Sequence, residues 1–227
     1  MSLDSPSQVM IIGAQEHLAQ EFGKLAAADG SDLILVDSQE EGVSRLSQDY
    51  HQRGARSTRL ISEPLSLPGI AENIYQAWLL GSLMEQNSRP LSWVINVMAF
   101  REWNFPNPDP WDQIGPDPAL HLTNLVSLTE LFAAEMSLSH GGRILNVLSR
   151  PAQVGPSLER MFLATQTLLL DLAYRLNQGL KNQCVEVSTL IASDQSFMLQ
   201  TEQLPARVAH DLAPPTCSPQ DLADYGY

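Results

Sequence analysis

Ser149 closes the apolar run Arg143-Ile-Leu-Asn-Val-Leu-Ser149, and Phe162 and Gln166 stand four residues apart at the head of the next long apolar stretch. A hydroxyl at a strand end, facing two side chains one helical turn apart, could orient a substrate and pass a proton if those side chains were ionisable. Here they are not: a phenyl carries no exchangeable proton, and a carboxamide neither takes nor gives one at neutral pH. Ser149 has no base beside it in the pattern, so it reads as a strand-end hydroxyl satisfied by the backbone rather than as a nucleophile. The five histidines, His17, His51, His121, His140 and His210, are scattered without metal-ligand spacing, and no metal is expected. Glu102, Asp109 and Asp112 lie in or beside the segment Phe100–Trp111, where no paired-carboxylate geometry follows from the sequence.

The elements around these residues alternate between short β-rich runs and helical patterns, the arrangement of a parallel sheet flanked by helices. Strands are expected at Val9–Ile12, Asp32–Val36, Ser57–Ser62, Trp93–Asn96, Arg143–Leu148 and Val185–Ile191. Helices are expected at Glu16–Ala28, Glu40–Gln52, Ile70–Met84, about Pro118–Ser137 and Leu158–Gly179. Phe100–Trp111 is too rich in proline for a helix. Six strands separated by helices predict an α/β fold: a Rossmann-type doubly wound parallel sheet, three layers, in a single domain. Residues 1–198 form that domain, and 199–227 read as a helix-poor C-terminal tail.

Bulk properties narrow the function classes. The chain has 227 residues, 44% of them hydrophobic and 17% charged, which suits one globular domain with a substantial core. Formal net charge is −13, with an isoelectric point near 4.6, and the only lysines are Lys24 and Lys181. Polyanions are repelled by such a surface, so neither nucleic acid nor an anionic membrane is an expected partner. Cys184 and Cys217 have neither metal-ligand spacing nor a disulfide framework around them, and both are expected to be plain thiols. No segment has the length and apolarity of a membrane span, and the start of the chain lacks a signal-peptide pattern, so a cytoplasmic protein is expected.

The motifs, taken in order, resemble those of the short-chain dehydrogenases/reductases over about residues 8–198. Ile12-Gly-Ala-Gln-Glu-His-Leu-Ala19 is similar to that family's Thr-Gly-x-x-x-Gly-x-Gly turn, with only the first glycine present, as Gly13. His17 and Ala19 take the second and third glycine positions. The His17 side chain is expected to project where a pyrophosphate would lie, with strain of about 1–2 kcal/mol if the backbone needs a positive φ. Asp37 closes the second strand where the family's ribose-binding acid stands; it reads equally as a cap or loop acid. Asn96 in Val94-Ile-Asn-Val-Met-Ala99 resembles the first Asn of an Asn-Asn-Ala-Gly motif. Asn124, Ser149, Phe162 and Gln166 fall at the family's catalytic Asn, Ser, Tyr and Lys. Ile191-Ala192 replaces the Pro-Gly that borders the nicotinamide. The resemblance therefore implies a degenerate member: catalytic residues none, cofactor none, with Gly13, His17, Ala19, Asp37 and Asn96 as a vestigial NAD site.

Apolar residues appear on more than one stripe of the two longest helices, which exceeds what one buried face requires. In the resembled family this helix pair joins subunits, so Leu125, Leu128, Phe132, Leu168, Leu169 and Leu172 are the expected interface. The combined expectation is a catalytically inactive pseudoenzyme subunit. It would pair with an active homologous dehydrogenase in a hetero-oligomer, within an alcohol or hydroxyacyl-CoA dehydrogenase complex. The alternatives are an NAD(H)-sensing binding protein and a divergent NAD-dependent oxidoreductase.

Overall fold

A computed structural model describes residues 7–65, 67–85, 89–99, 118–139, 141–150 and 156–193. The elements in chain order are β1 (Gln8–Ile12), α1 (His17–Ala28), β2 (Asp32–Asp37), α2 (Glu40–Arg53), β3 (Ser57–Ser62), α3 (Ile70–Met84), β4 (Leu91–Ala99), α4 (Pro118–Leu138), β5 (Gly142–Arg150), α5 (Pro156–Gly179) and β6 (Val185–Ser193). Each expected element is present. The strands at β4 and β5 extend beyond the expected bounds, and α5 begins at Pro156, a residue whose fixed φ and missing N–H suit a first helical turn. The proline-rich segment and the tail lie outside the described residues.

The six strands form one sheet in the order β3-β2-β1-β4-β5-β6, every neighbouring pair parallel. Parallel strands covered on both faces need continuous apolar runs, and all five residues of β1 are buried. Val9, Ile11, Leu33 and Leu35 face α1 and α2, meeting Leu18, Phe22, Val43 and Tyr50. Met10, Ile12, Ile34 and Val36 face the other way, onto Ile74, Trp78, Leu128, Phe132 and Met136 of α3 and α4. Tyr75, Trp78 and Phe132 lock α3 to α4 with ring centroids 5.5–5.7 Å apart.

This packing corrects four of the six expected interface residues. Leu125, Leu128, Phe132 and Leu169 are 4%, 1%, 0% and 0% exposed and belong to the core of the chain itself. The extra apolar stripes have an intramolecular cause: α4 packs against α3 and α5 as well as against the sheet. Leu172 is half-buried and Leu168 exposed. The outward apolar face belongs to α5, where Leu163, Leu170 and Tyr174 recur at i, i+7 and i+11 and are 46–64% exposed. The expectation of plain thiols fails at Cys184, which is disulfide-bonded. Among the described residues no helix is long and apolar enough to cross a membrane.

Candidate functional site at the switch point

In a doubly wound sheet the crossovers leave two adjacent strands in opposite directions, opening a crevice at their carboxyl ends. Here those strands are β1 and β4. Gly13 follows β1 with φ +75°, and a Cβ there would stand 2.5 Å from the carbonyl oxygen of Val97 on β4. Only glycine meets both conditions, so this residue sets how closely the β1–α1 turn approaches β4. Its N–H and that of Ala14 both donate to Val36 O, at 3.0 and 3.2 Å, tying the turn to β2 as well.

The other two positions of the turn do not carry the expected strain. Among the described residues Cys184 is the only non-glycine with positive φ, so His17 and Ala19 have ordinary backbone. The reason is that α1 begins at His17, which places both residues in helical geometry. The His17 side chain is exposed, and Ala19 is fully buried where α1 packs on the sheet. The residue before the helix, Glu16, makes no side-chain cap bond to it, and the first turn holds no acid. The positive end of the α1 dipole lies where the β1–α1 turn ends, with the acidic Glu16 as the residue before it.

Asp37 is engaged at both carboxylate oxygens. Oδ2 accepts from Gln15 N at 3.0 Å; Oδ1 accepts from Gln15 Nε2 at 3.0 Å, Ser38 N at 2.7 Å and Ser38 Oγ at 3.5 Å. Gln15 carries no functional signal in the sequence. A glutamine in a turn is unremarkable by itself, and only the fold brings it against Asp37.

Asn96 lies beside Asn146 in the β4–β5 register, and both are buried under α4. Asn96 Nδ2 donates to Asn146 Oδ1 at 2.8 Å and to Thr129 Oγ1 at 3.3 Å. Asn96 is thus part of an internal amide network, although Asn96 Oδ1 and Asn146 Nδ2 are buried without partners. Asn124 is structural as well. Its Nδ2 donates to Leu65 O and Leu67 O, both at 2.8 Å, pinning the chain after β3 to α4. Ser149, the last residue but one of β5, lies opposite Ala99 and Ala192 and is half-buried. Phe162 is 2% exposed, packed with Met98, Leu125, Leu148 and Leu169. Gln166 lies one turn further along α5, half-buried.

One more residue joins the crevice. His121 on α4 lines a small pocket with Ile12, Leu65, Asn96, Val97, Asn124, Leu125 and Leu128. Burial pushes its imidazole down to about 4, so it is neutral at physiological pH. The sequence showed it only as one scattered histidine, since the pocket forms from β1, β4, α4 and the segment after β3 together. Among the described residues no group of three His, Cys, Asp or Glu could hold a metal ion.

No protein-family model matches the sequence, and no curated protein does either. Solved structures do match. A β-ketoacyl-[ACP] reductase from Bacteroides thetaiotaomicron superposes with a TM-score of 0.65 at 13% identity, covering 94% of both chains. The bulky-bulky ketone specific alcohol dehydrogenase from Comamonas testosteroni gives 0.65 at 16% identity, covering 96% of this chain and 90% of that one. A metagenomic short-chain oxidoreductase in complex with NADP gives 0.66 at 15% identity, over 94% and 93%. The last of these overturns the expectation of no cofactor. A chain of this fold was solved holding NADP, which points to a nucleotide site. The agreement spans nearly the whole chain, and the fold of this protein is that of the short-chain dehydrogenases/reductases.

Proposed function

We propose that this chain is a nucleotide-binding, non-catalytic subunit of short-chain dehydrogenase type that works by associating with an active relative. The observation that carries this reading is Phe162. The head of α5, where the resemblance puts an acid–base tyrosine, presents a phenyl ring sunk among Met98, Leu125, Leu148 and Leu169. The next turn presents the Gln166 amide in place of a cation. Loss of a general acid costs a factor of about 10²–10⁴ in rate.

A dinucleotide fits the crevice in part. The Gly13 turn has the required close approach, the first turn of α1 after Glu16 holds no acid, and Asp37 stands where the resemblance puts a ribose-binding acid. Such a group supplies hydride transfer when bound; Phe162 and Gln166 contribute no ionisable group to move the accompanying proton. The face for association is the exposed stripe Leu163, Leu170 and Tyr174 on α5.

Two measurements test this. Purified protein with NAD(H) or NADP(H) and a panel of carbonyls and alcohols should show no turnover, and measurable turnover refutes the non-catalytic reading. The tagged chain, recovered from its native cells, should bring down a stoichiometric homologue carrying an intact Tyr-x-x-x-Lys; recovery of the chain alone refutes the subunit reading. A second reading, a nucleotide-sensing binding protein, is favoured by the glycine turn at Gly13 and by Asp37. It predicts dinucleotide binding by the chain without a partner.

A further inference from the structure

We infer that Gln15 is a built-in occupant of the ribose position on Asp37, so that a nucleotide enters this site only when the Gln15 side chain leaves it. The inference rests on the nucleotide-site reading above. A carboxylate offers about four lone-pair directions, two on each oxygen. On Oδ1 these are filled by Gln15 Nε2 and Ser38 N, at 3.0 and 2.7 Å, with Ser38 Oγ at 3.5 Å beside them. On Oδ2 one is taken by Gln15 N at 3.0 Å and one remains. A ribose 2′,3′-diol donates two hydroxyl hydrogens and needs one acceptor direction on each oxygen. Backbone donors at Gln15 and Ser38 cannot withdraw without unmaking the turn. The Gln15 side chain can, and it makes the closer of the two side-chain bonds, 3.0 Å against 3.5 Å for Ser38 Oγ.

The rest of the surroundings hold that side chain in place. Gln15 Nε2 also donates to Gln39 O at 3.4 Å, while Gln20 Nε2 donates to the Gln15 backbone carbonyl at 2.9 Å and holds the turn itself. Gly42, in the first turn of α2, leaves the space that the Gln15 carboxamide fills: a Cβ at residue 42 would collide with Gln15 Oε1 and Cδ. An α-helical glycine is otherwise a disfavoured choice, and its value here is the room it gives Gln15. The amide thus bridges the β1–α1 turn, the end of β2 and the start of α2, all held closed around Asp37. Regulation by displacement follows. Anything that draws Gln15 away opens the acceptor, and anything that orders it closes the site.

The test is calorimetric titration of the full chain, as wild type, Gln15→Ala and Gly42→Ala, with NAD⁺, NADH and NADP⁺. Gly42→Ala expels the carboxamide without touching Asp37 or residue 15, so it guards against a folding defect in the other variant. A hydrogen bond to a charged group is worth a factor of about 10–100 in binding, so both variants should bind NAD⁺ and NADH tighter by that factor. NADP⁺, whose 2′-phosphate meets the Asp37 charge, should gain less than about tenfold. If both variants bind NAD⁺ with wild-type affinity, the plug is refuted and the nucleotide site stands. If Gln15→Ala binds more weakly, Gln15 is a ligand contact and the plug is again refuted. If no variant binds any dinucleotide, the nucleotide-site reading falls, and the plug with it.

Discussion

His121 gives the sharpest test of whether the crevice is built as described. Its ring is 8% exposed in a pocket whose other walls are aliphatic side chains and the amides of Asn96 and Asn124. Burial alone lowers the imidazole to about 4 in the folded chain, against about 6.5 when unfolded. The folded pKa is the lower one, so the unfolded state takes up the proton first, and stability falls with pH across the window from 6.5 down to 4. At pH 5 the loss relative to pH 7.5 is RT ln[(1 + 10^1.5)/(1 + 10^−1)], about 2 kcal/mol, and over the whole window it approaches about 3 kcal/mol. Urea unfolding of wild type and His121→Leu at pH 7.5, 6.5, 5.5 and 5.0 isolates this contribution, since carboxylate titrations are common to both proteins. The stability of His121→Leu relative to wild type should rise by about 2 kcal/mol between pH 7.5 and 5. A difference that stays flat within about 0.5 kcal/mol shows that His121 ionises alike in both states, and refutes the buried neutral imidazole.

Three further outcomes are expected. Gly13→Ala forces a side chain into φ +75° and against Val97 O, and should cost more than about 2 kcal/mol in urea unfolding; a loss under about 0.5 kcal/mol means β1 and β4 do not approach as described. Phe162→Tyr places a hydroxyl in the apolar cluster and should cost about 1–3 kcal/mol. A neutral result by thermal melt puts the ring's far edge at water instead. Leu170→Glu combined with Tyr174→Glu, at positions 46% and 64% exposed, should leave stability within about 1 kcal/mol and abolish association with the co-purified homologue in sedimentation velocity. Undiminished association places the contact elsewhere.

The architecture was legible because parallel strands buried on both faces must be apolar throughout, and Val9–Ile12 and Asp32–Val36 are too short and β-rich to be anything else. The alternation with helices then fixes the strand order to very few choices. The inward or outward sense of α4 was not legible. Leu125, Leu128 and Phe132 carry the same side-chain chemistry whether they meet another subunit or the sheet, and only the neighbouring helices α3 and α5 decide it. Phe162 and Gln166 could be found because they break a spacing pattern. His121 and Gln15 could not, since each acquires its meaning from residues far off in sequence: Val97 and Leu65 for one, Asp37 and Gly42 for the other.

A motif residue that is present says less than it promises when the fold would require it anyway. Gly13 would be needed with no nucleotide at all, because any Cβ there meets Val97 O at 2.5 Å and the φ of +75° excludes most residues. Asn96 and Asn124 likewise serve internal amide networks and the anchoring of Leu65 and Leu67. Asp37 is different. Asp37 is half-buried, and its two oxygens accept from Gln15 N and Ser38 N, a pair of bonds that an asparagine, with one acceptor oxygen, could make only in part. Beyond those bonds one acceptor direction on Oδ2 remains, which a diol could use. The affinity change in Asp37→Asn, measured in the Gly42→Ala background where Asp37 is open, therefore bears on function in a way that no substitution at Gly13 can. A loss of about tenfold or more for NAD⁺ marks Asp37 as the ligand group, and no loss marks it as a turn residue alone.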